Sequence, residues 1–145
     1  MNSNILVENA SRGRIDAALL VLRLFTGFVL TYGTQDNVFH HEHMLEFRDF
    51  LAKHGFPSPM FSAYLSAYAQ FTSGILIVLG LLTRYAAAVM VVNFLAALFM
   101  VHWGLPFTAN ISPLAMLFNA LALSLAGAGA LSLDGRVRRS APAGR

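Results

Sequence analysis

The feature that most constrains this chain is a set of four long apolar blocks within 145 residues. They run from about Ile15 to Gln35, Pro59 to Leu82, Tyr85 to Trp103 and Pro113 to Leu131. Each is close to the ~20 residues that an α-helix needs to cross a ~30 Å hydrocarbon core. A bilayer offers no water to backbone N–H and C=O groups, so such a block has to satisfy them within itself, as a helix does. The chain is 57% hydrophobic and 12% charged, with mean hydropathy +0.60, where a soluble domain carries about twice that charged fraction. The expected fold is all-α, an integral membrane antiparallel four-helix bundle. The expected domains are a polar N-terminal tail (1–14), a four-helix membrane domain (15–132) and a basic C-terminal tail (133–145).

Arg12 and Arg14 precede the first block, as in a signal peptide. The run is too long for one, it contains Arg23, and no A-x-A site follows, so it reads as a retained helix. Residues 1–13 are polar and expected to fray. Ser58-Pro59 and Ser112-Pro113 each place a capping hydroxyl before a proline, the usual start of a helix. Thr83 is a candidate cap for the third helix, and Gly80 and Gly127 or Gly129 are candidate stops. Between the first two blocks, Glu42 to His54 reads as a short amphipathic helix. Met44, Phe47 and Leu51 share one face, Asp49 can pair with Lys53, and Gly55 and Pro57 end it. Such a helix suits the membrane surface.

The isoelectric point near 9.8 could suggest nucleic acid, but the basic residues sit at the ends of the blocks, so topology accounts for them. Arg12, Arg14, Arg84, Arg136, Arg138, Arg139 and Arg145 lie on one side, and Arg48 and Lys53 on the other. Seven against two puts both termini in the cytoplasm. With no cysteine in the chain, disulfides and thiol chemistry are excluded. Electrons in any redox role have to be carried by a bound cofactor or another chain. No nucleophile motif, phosphate loop or dinucleotide fingerprint is present, which argues against a self-contained hydrolase or NAD enzyme.

Polar residues inside the spans need partners or a function. By residue count, Arg23 and Asn93 fall in the cytoplasmic half, and Gln70 and Asn119 near the midplane. Arg23 is expected to serve structure first, by snorkelling toward the interface and Asp16. Its sharper reading is a buried cation that joins helices or meets an anionic or quinone-like ligand. For Gln70, Asn93 and Asn119 interhelical hydrogen bonds are the default, worth roughly 0.6 kcal/mol each. A second polar group gathers at the outer helix ends: Tyr32, Gln35, Asp36, Tyr64, Tyr68, His102, Trp103 and Asn110. An aromatic belt explains the tyrosines and Trp103. Gln35, Asp36 and His102 are less well explained, so this end is the candidate ligand pocket. The run His40-His41-Glu42-His43 could bind metal through imidazole. Without further ligands at fixed spacing, a solvated loop is the stronger reading there, and metal or haem the weaker.

Several segments, in order, resemble the DoxX family of small membrane proteins. They are LRLFTGFVLTYGTQDNVF in the first helix, FRDFLAKHGFP before the second, GILIVLGLLTR across the next turn, MVHW and GALSLD. The resemblance spans roughly Leu19 to Asp134. Arg23 and Gly27 match the family's first-helix pattern. Tyr32-Gly33 stands where many relatives have His-Gly, and Asp36 where many have a basic residue. The resemblance implies a four-helix protein of a bacterial inner membrane. It also implies a link to oxidoreductase systems, such as the small subunit of thiosulfate:quinone oxidoreductase or a superoxide-detoxifying membrane complex.

Three functions follow as expectations. One is a membrane subunit of an electron-transfer or oxidative-stress system, interacting with quinone and acting with oxidoreductase partner subunits. A second is a non-enzymatic scaffold, assembly factor or small-solute carrier. A third is metal handling through His40, His41 and His43. The partners are the lipid bilayer and further subunits, with a homo-oligomer open and no nucleic acid. Small residues such as Ala86 to Ala88, Ala96 and Ala97 allow close helix approach in either a bundle or a dimer.

Overall fold

The computed structural model describes residues 3–140. Six helices follow one another: α1 (Ser3–Phe39), α2 (His41–Lys53), α3 (Pro59–Leu79), α4 (Thr83–Met100), α5 (Phe107–Ala126) and α6 (Leu133–Ser140). No strand occurs among the described residues. Four segments are long and apolar enough to span a membrane: Ser11–Phe39, Pro59–Leu79, Thr83–Met100 and Phe107–Ala126. The chain is thus the expected all-α membrane bundle. Residues 1–2 and 141–145 of the two expected tails, including Arg145, lie outside the described residues, as do the side chains of Arg138 and Arg139.

Helix α1 starts at Ser3, well before the expected Ile15. No proline interrupts the first turns, and at ~1.5 Å per residue the helix reaches roughly 55 Å, far beyond one hydrocarbon core. Helix α1 packs along α3 and touches α5, while α4 packs between α3 and α5. The α1–α3 crossing is close because glycines meet there. A Cβ on Gly27 would stand 2.6 Å from the carbonyl oxygen of Gly74, and one on Gly74 would be 2.9 Å from that of Gly27. Small residues at such a crossing let backbones approach, which is how helices gain contact in lipid. The core between the four spans is built from Leu30, Ile77, Ala86, Ala87, Met90, Met116, Ala120 and Leu123.

Two helix starts differ from expectation. Helix α5 begins at Phe107 behind Pro106, so Ser112-Pro113 is no cap, and Pro113 lies inside the helix. Pro106 already supplies the fixed φ, at −56°, that starts a helix. Asn110 donates its side-chain N–H to the carbonyls of Leu105 and Pro106 (3.1 and 3.2 Å), closing the first turn. Thr83 is the first residue of α4 rather than its cap. The capping acceptor comes instead from 51 residues along the chain. The Asp134 carboxylate accepts from the backbone N–H groups of Leu82 and Thr83 at 3.1 and 3.3 Å. A carboxylate at a helix N-terminus also favours the helix dipole. Gly80 does end α3, in the left-handed conformation (φ +68°). Ser58 precedes Pro59 as expected, but its side chain makes no capping bond.

The amphipathic helix is present as α2. Its apolar face does more than rest on the membrane surface. Met44 and Leu51 are buried against Ala63 and Ala67 of α3, with Phe47 and Phe56 beside them. Asp49 pairs with its neighbour Arg48 at 2.6 Å, where Lys53 was the expected partner.

Arg23 is the largest fully buried side chain, 2% exposed. It neither snorkels to Asp16 nor meets Asn93. Its guanidinium donates to four carbonyls: Ile77 (3.0 Å), Val78 (3.0 Å), Ala128 (2.6 Å) and Leu131 (3.0 Å). The first two belong to the last turn of α3, where intrahelical N–H groups run out and, of the two, only Ile77 has a further donor among the described residues, the N–H of Gly80. The other two belong to the irregular segment after α5, whose carbonyls have no helix of their own. Asp16 turns to the same segment and accepts from the N–H of Ala130 at 2.7 Å.

Ile77 keeps the backbone N–H of Gly80 at 3.1 Å, so replacing this fork leaves up to three carbonyls short of a donor, each costing about 1–3 kcal/mol where water is scarce. Arg23→Leu is expected to lose at least about 3 kcal/mol of stability in a mixed-micelle unfolding titration. Arg23→Lys, which keeps the charge but not the planar fork, is expected to fall between them. An Arg23→Lys chain as stable as the parent would show that charge alone matters.

Candidate functional site

After Met90 no residue of α4 is buried, although Thr83, Ala86, Ala87 and Met90 before it all are. Helices α3 and α4 are joined by a tight turn at Gly80–Leu82. Farther from that turn, side chains of α2 and the start of α5 join theirs around a space. The result is a cavity of about 690 Å³, within the range of small-molecule sites.

Its wall is mostly apolar. Leu65 and Ala69 of α3, Val89, Val92 and Phe94 of α4, and Phe47 and Phe50 of α2 contribute most of it. Six polar side chains line it, Ser62, Ser66, Gln70, Asn93, His102 and Ser112. Gln70 donates an amide N–H to the Ser66 hydroxyl at 3.0 Å, and that hydroxyl donates to the Asn93 side-chain carbonyl at 2.8 Å. Asn93 is ten residues into α4, about 15 Å from its start, which places this trio near the middle of the span. His102 lies nine residues further, in the turn just after α4, at the end of the bundle that carries α2. Its ring Nδ1 is buried and has no hydrogen-bond partner among the described residues. Across from it, Pro113 has no N–H for the carbonyl of Ala109, and Ala109, Ser112 and Pro113 all line the cavity.

The other expected site residues lie elsewhere. Tyr32 stacks on Phe28 (5.5 Å between ring centres) and is exposed, as is Asp36. Gln35 is half-buried on α1. Tyr68 stacks on Tyr64 (6.0 Å) and Trp103 on Phe99 (5.7 Å), both at the outer surface as an aromatic belt would be. None of these five lines the cavity. Among the described residues no hydrogen bond or ring contact links Tyr32, Gln35, Asp36 and His102. Asn119 is half-buried with no side-chain partner among the described residues.

His40 and His43 bring their rings edge to face at 5.9 Å. His40 faces Asp36 at 3.9 Å, His43 faces Glu46 at 3.2 Å, and His41 lies 3.5 Å from the Tyr64 hydroxyl. No three His, Asp or Glu side chains converge as a metal site among the described residues.

Sequence reasoning did not single out Ser66 or Phe50, and it read Ser112 as a helix cap and Phe47 as part of an apolar face rather than as cavity residues. Ser66 carried a readable signal, since it stands four residues before Gln70 on the same helix face. The contribution of α2 had no such signal, because its docking on α3 depends on how the chain turns at residues 54–58.

The DoxX family model matches residues 18–103, more than half of the chain, from the start of the first span to the end of α4. No curated protein and no solved structure matches.

The two asparagines separate packing from hydrogen bonding. Asn93→Leu breaks the chain of three and is expected to cost about 0.6 kcal/mol, whereas Asn119→Leu is expected to be neutral or stabilising. Paired unfolding titrations in mixed micelles check this, and an Asn119→Leu chain that fails to assemble would reveal a partner for Asn119.

Proposed function

The chain belongs to the DoxX family, and from that premise we propose that it is a quinone-binding membrane subunit of an electron-transfer or oxidative-stress system. The observation that carries this reading is the cavity between α2, α3, α4 and α5. A quinone is a flat apolar ring with carbonyl acceptors and a hydrocarbon tail. The cavity matches each part: an apolar wall for the ring, amide N–H groups on Gln70 and Asn93 for a carbonyl, and a position inside the bilayer for the tail. His102 lies nearer the outer end, where a second polar contact or a proton could be exchanged. The chain has no cysteine, so electrons would pass between the bound quinone and an oxidoreductase partner subunit.

The orientation belongs to the same proposal. Arg12, Arg14, Arg84 and Arg136 lie at the end of the bundle formed by the first turns of α1, the α3–α4 turn and α6, while Arg48 and Lys53 lie at the other end on α2. We place the arginine-rich end in the cytoplasm of a bacterial cell and the mouth near His102 on the outer side of the inner membrane.

The only tryptophan, Trp103, follows His102 directly. A short-chain benzoquinone added to the protein in nanodiscs is expected to quench its emission saturably. The double variant Gln70→Leu, Asn93→Leu is expected to weaken binding by about tenfold, as loss of one or two hydrogen bonds predicts. Absence of saturable quenching, together with no quinone in organic extracts of the purified protein, would refute the reading.

The absence of native cysteine makes orientation easy to measure. A membrane-impermeant maleimide is expected to label Glu46→Cys in intact cells, and Ser11→Cys only after permeabilisation. Glu46 suits this because its side chain is 76% exposed. The opposite pattern would invert the topology.

A further inference from the structure

The hydrogen bonds within the trio decide what the cavity presents. Ser66 has one hydroxyl proton, and it goes to the Asn93 carbonyl. The same oxygen accepts from the Gln70 amide nitrogen. Two of the four amide atoms are therefore turned to Ser66. Each side-chain NH2 has two N–H groups, so the trio still offers N–H donors on Asn93 and Gln70 and one acceptor, the Gln70 carbonyl oxygen. That oxygen has no partner among the described residues. Rotating both amides reverses the chain but not the outcome, because the serine still has only one proton to give. One amide oxygen without a donor is offered beside N–H donors in either state.

We infer that this subsite prefers the reduced, hydroxyl-bearing form of the ligand, a quinol, over the oxidised quinone; the inference rests on the quinone reading of the cavity. A phenolic hydroxyl accepts from one amide and donates to the other, so both are satisfied at once. A quinone carbonyl accepts only. It leaves the Gln70 oxygen without a donor in a cavity lined largely by apolar side chains. Water that could have served that oxygen is displaced by the ring. An acceptor left unsatisfied on binding is costly enough to produce a preference of about tenfold or more.

The test uses the full chain in nanodiscs under anaerobic conditions. Affinities for a short-chain benzoquinone and for the same compound reduced to its quinol are measured by calorimetry. The wild-type chain is expected to bind the quinol about tenfold more tightly or better. Gln70→Met, which keeps the bulk and removes the acceptor, is expected to bring the two affinities within about twofold. If the wild-type chain binds both forms and does not favour the quinol, the inference fails while the quinone reading stands. If neither form binds, the reading of the cavity fails and takes the inference with it. The wild-type comparison is decisive by itself should Gln70→Met not fold.

Discussion

The arrangement depends on one buried guanidinium. Arg23 sits within an apolar span, where an unpaired cation would be among the costliest groups a protein can hold. Here it is the donor that a set of exposed carbonyls requires. The end of α3 and the segment after α5 both present C=O groups at the edge of the hydrocarbon, and five N–H donors in a fixed plane can serve several of them together. The same residue that looks expensive in isolation thus allows the chain to turn twice at one end without leaving backbone groups bare. Asp16 and Asp134 complete the arrangement with acceptors for the N–H groups of Ala130, Leu82 and Thr83. That end of the bundle is closed by hydrogen bonds, and the cavity lies toward the other.

This asymmetry links fold to site. Near the closed end, glycines and alanines bring the helices into contact, with Gly27 against Gly74 and Ala86 and Ala87 in the core. Beyond Met90 no residue of α4 is fully buried, although Val91 and Phe94 still pack on the core, and most α4 residues lining the cavity lie there. Its polar trio lies just past Met90, where the two helices are near enough for Ser66 to reach Asn93. A bundle packed evenly along its length would have closed over these side chains. One that opened earlier would have separated them.

The spans, the short helix α2 and the side-by-side order of the helices were legible because each follows from local pattern: apolar length, a repeat of three and four, and a glycine stop. Pro113 misled because a proline after serine is a helix start only when nothing before it already starts one, and Pro106 does. The role of Arg23 was legible as an alternative, since a cation in lipid has to find partners, but those partners are backbone carbonyls of residues 77–131 that no side-chain pattern announces. The same limit applied to the site. Gln70, Asn93 and His102 were visible as polar residues in apolar helices. That they share one cavity, while Tyr32, Gln35 and Asp36 do not line it, depends on helix rotation, which close packing at Gly27 and Gly74 constrains and no local pattern announces.

The cap on α4 also has a consequence for how the molecule is made. A helix ordinarily carries its capping residue just ahead of it and is complete as soon as it is synthesised. Here the acceptor for the first N–H groups of α4 is Asp134, which leaves the ribosome after the whole of α5. Two of the four carbonyls that hold Arg23 arrive equally late, with Ala128 and Leu131. The closed end can therefore form only once the segment following α5 has been made. The short segment following α5 completes the assembly, so a chain cut before it contains every span but cannot lock them together.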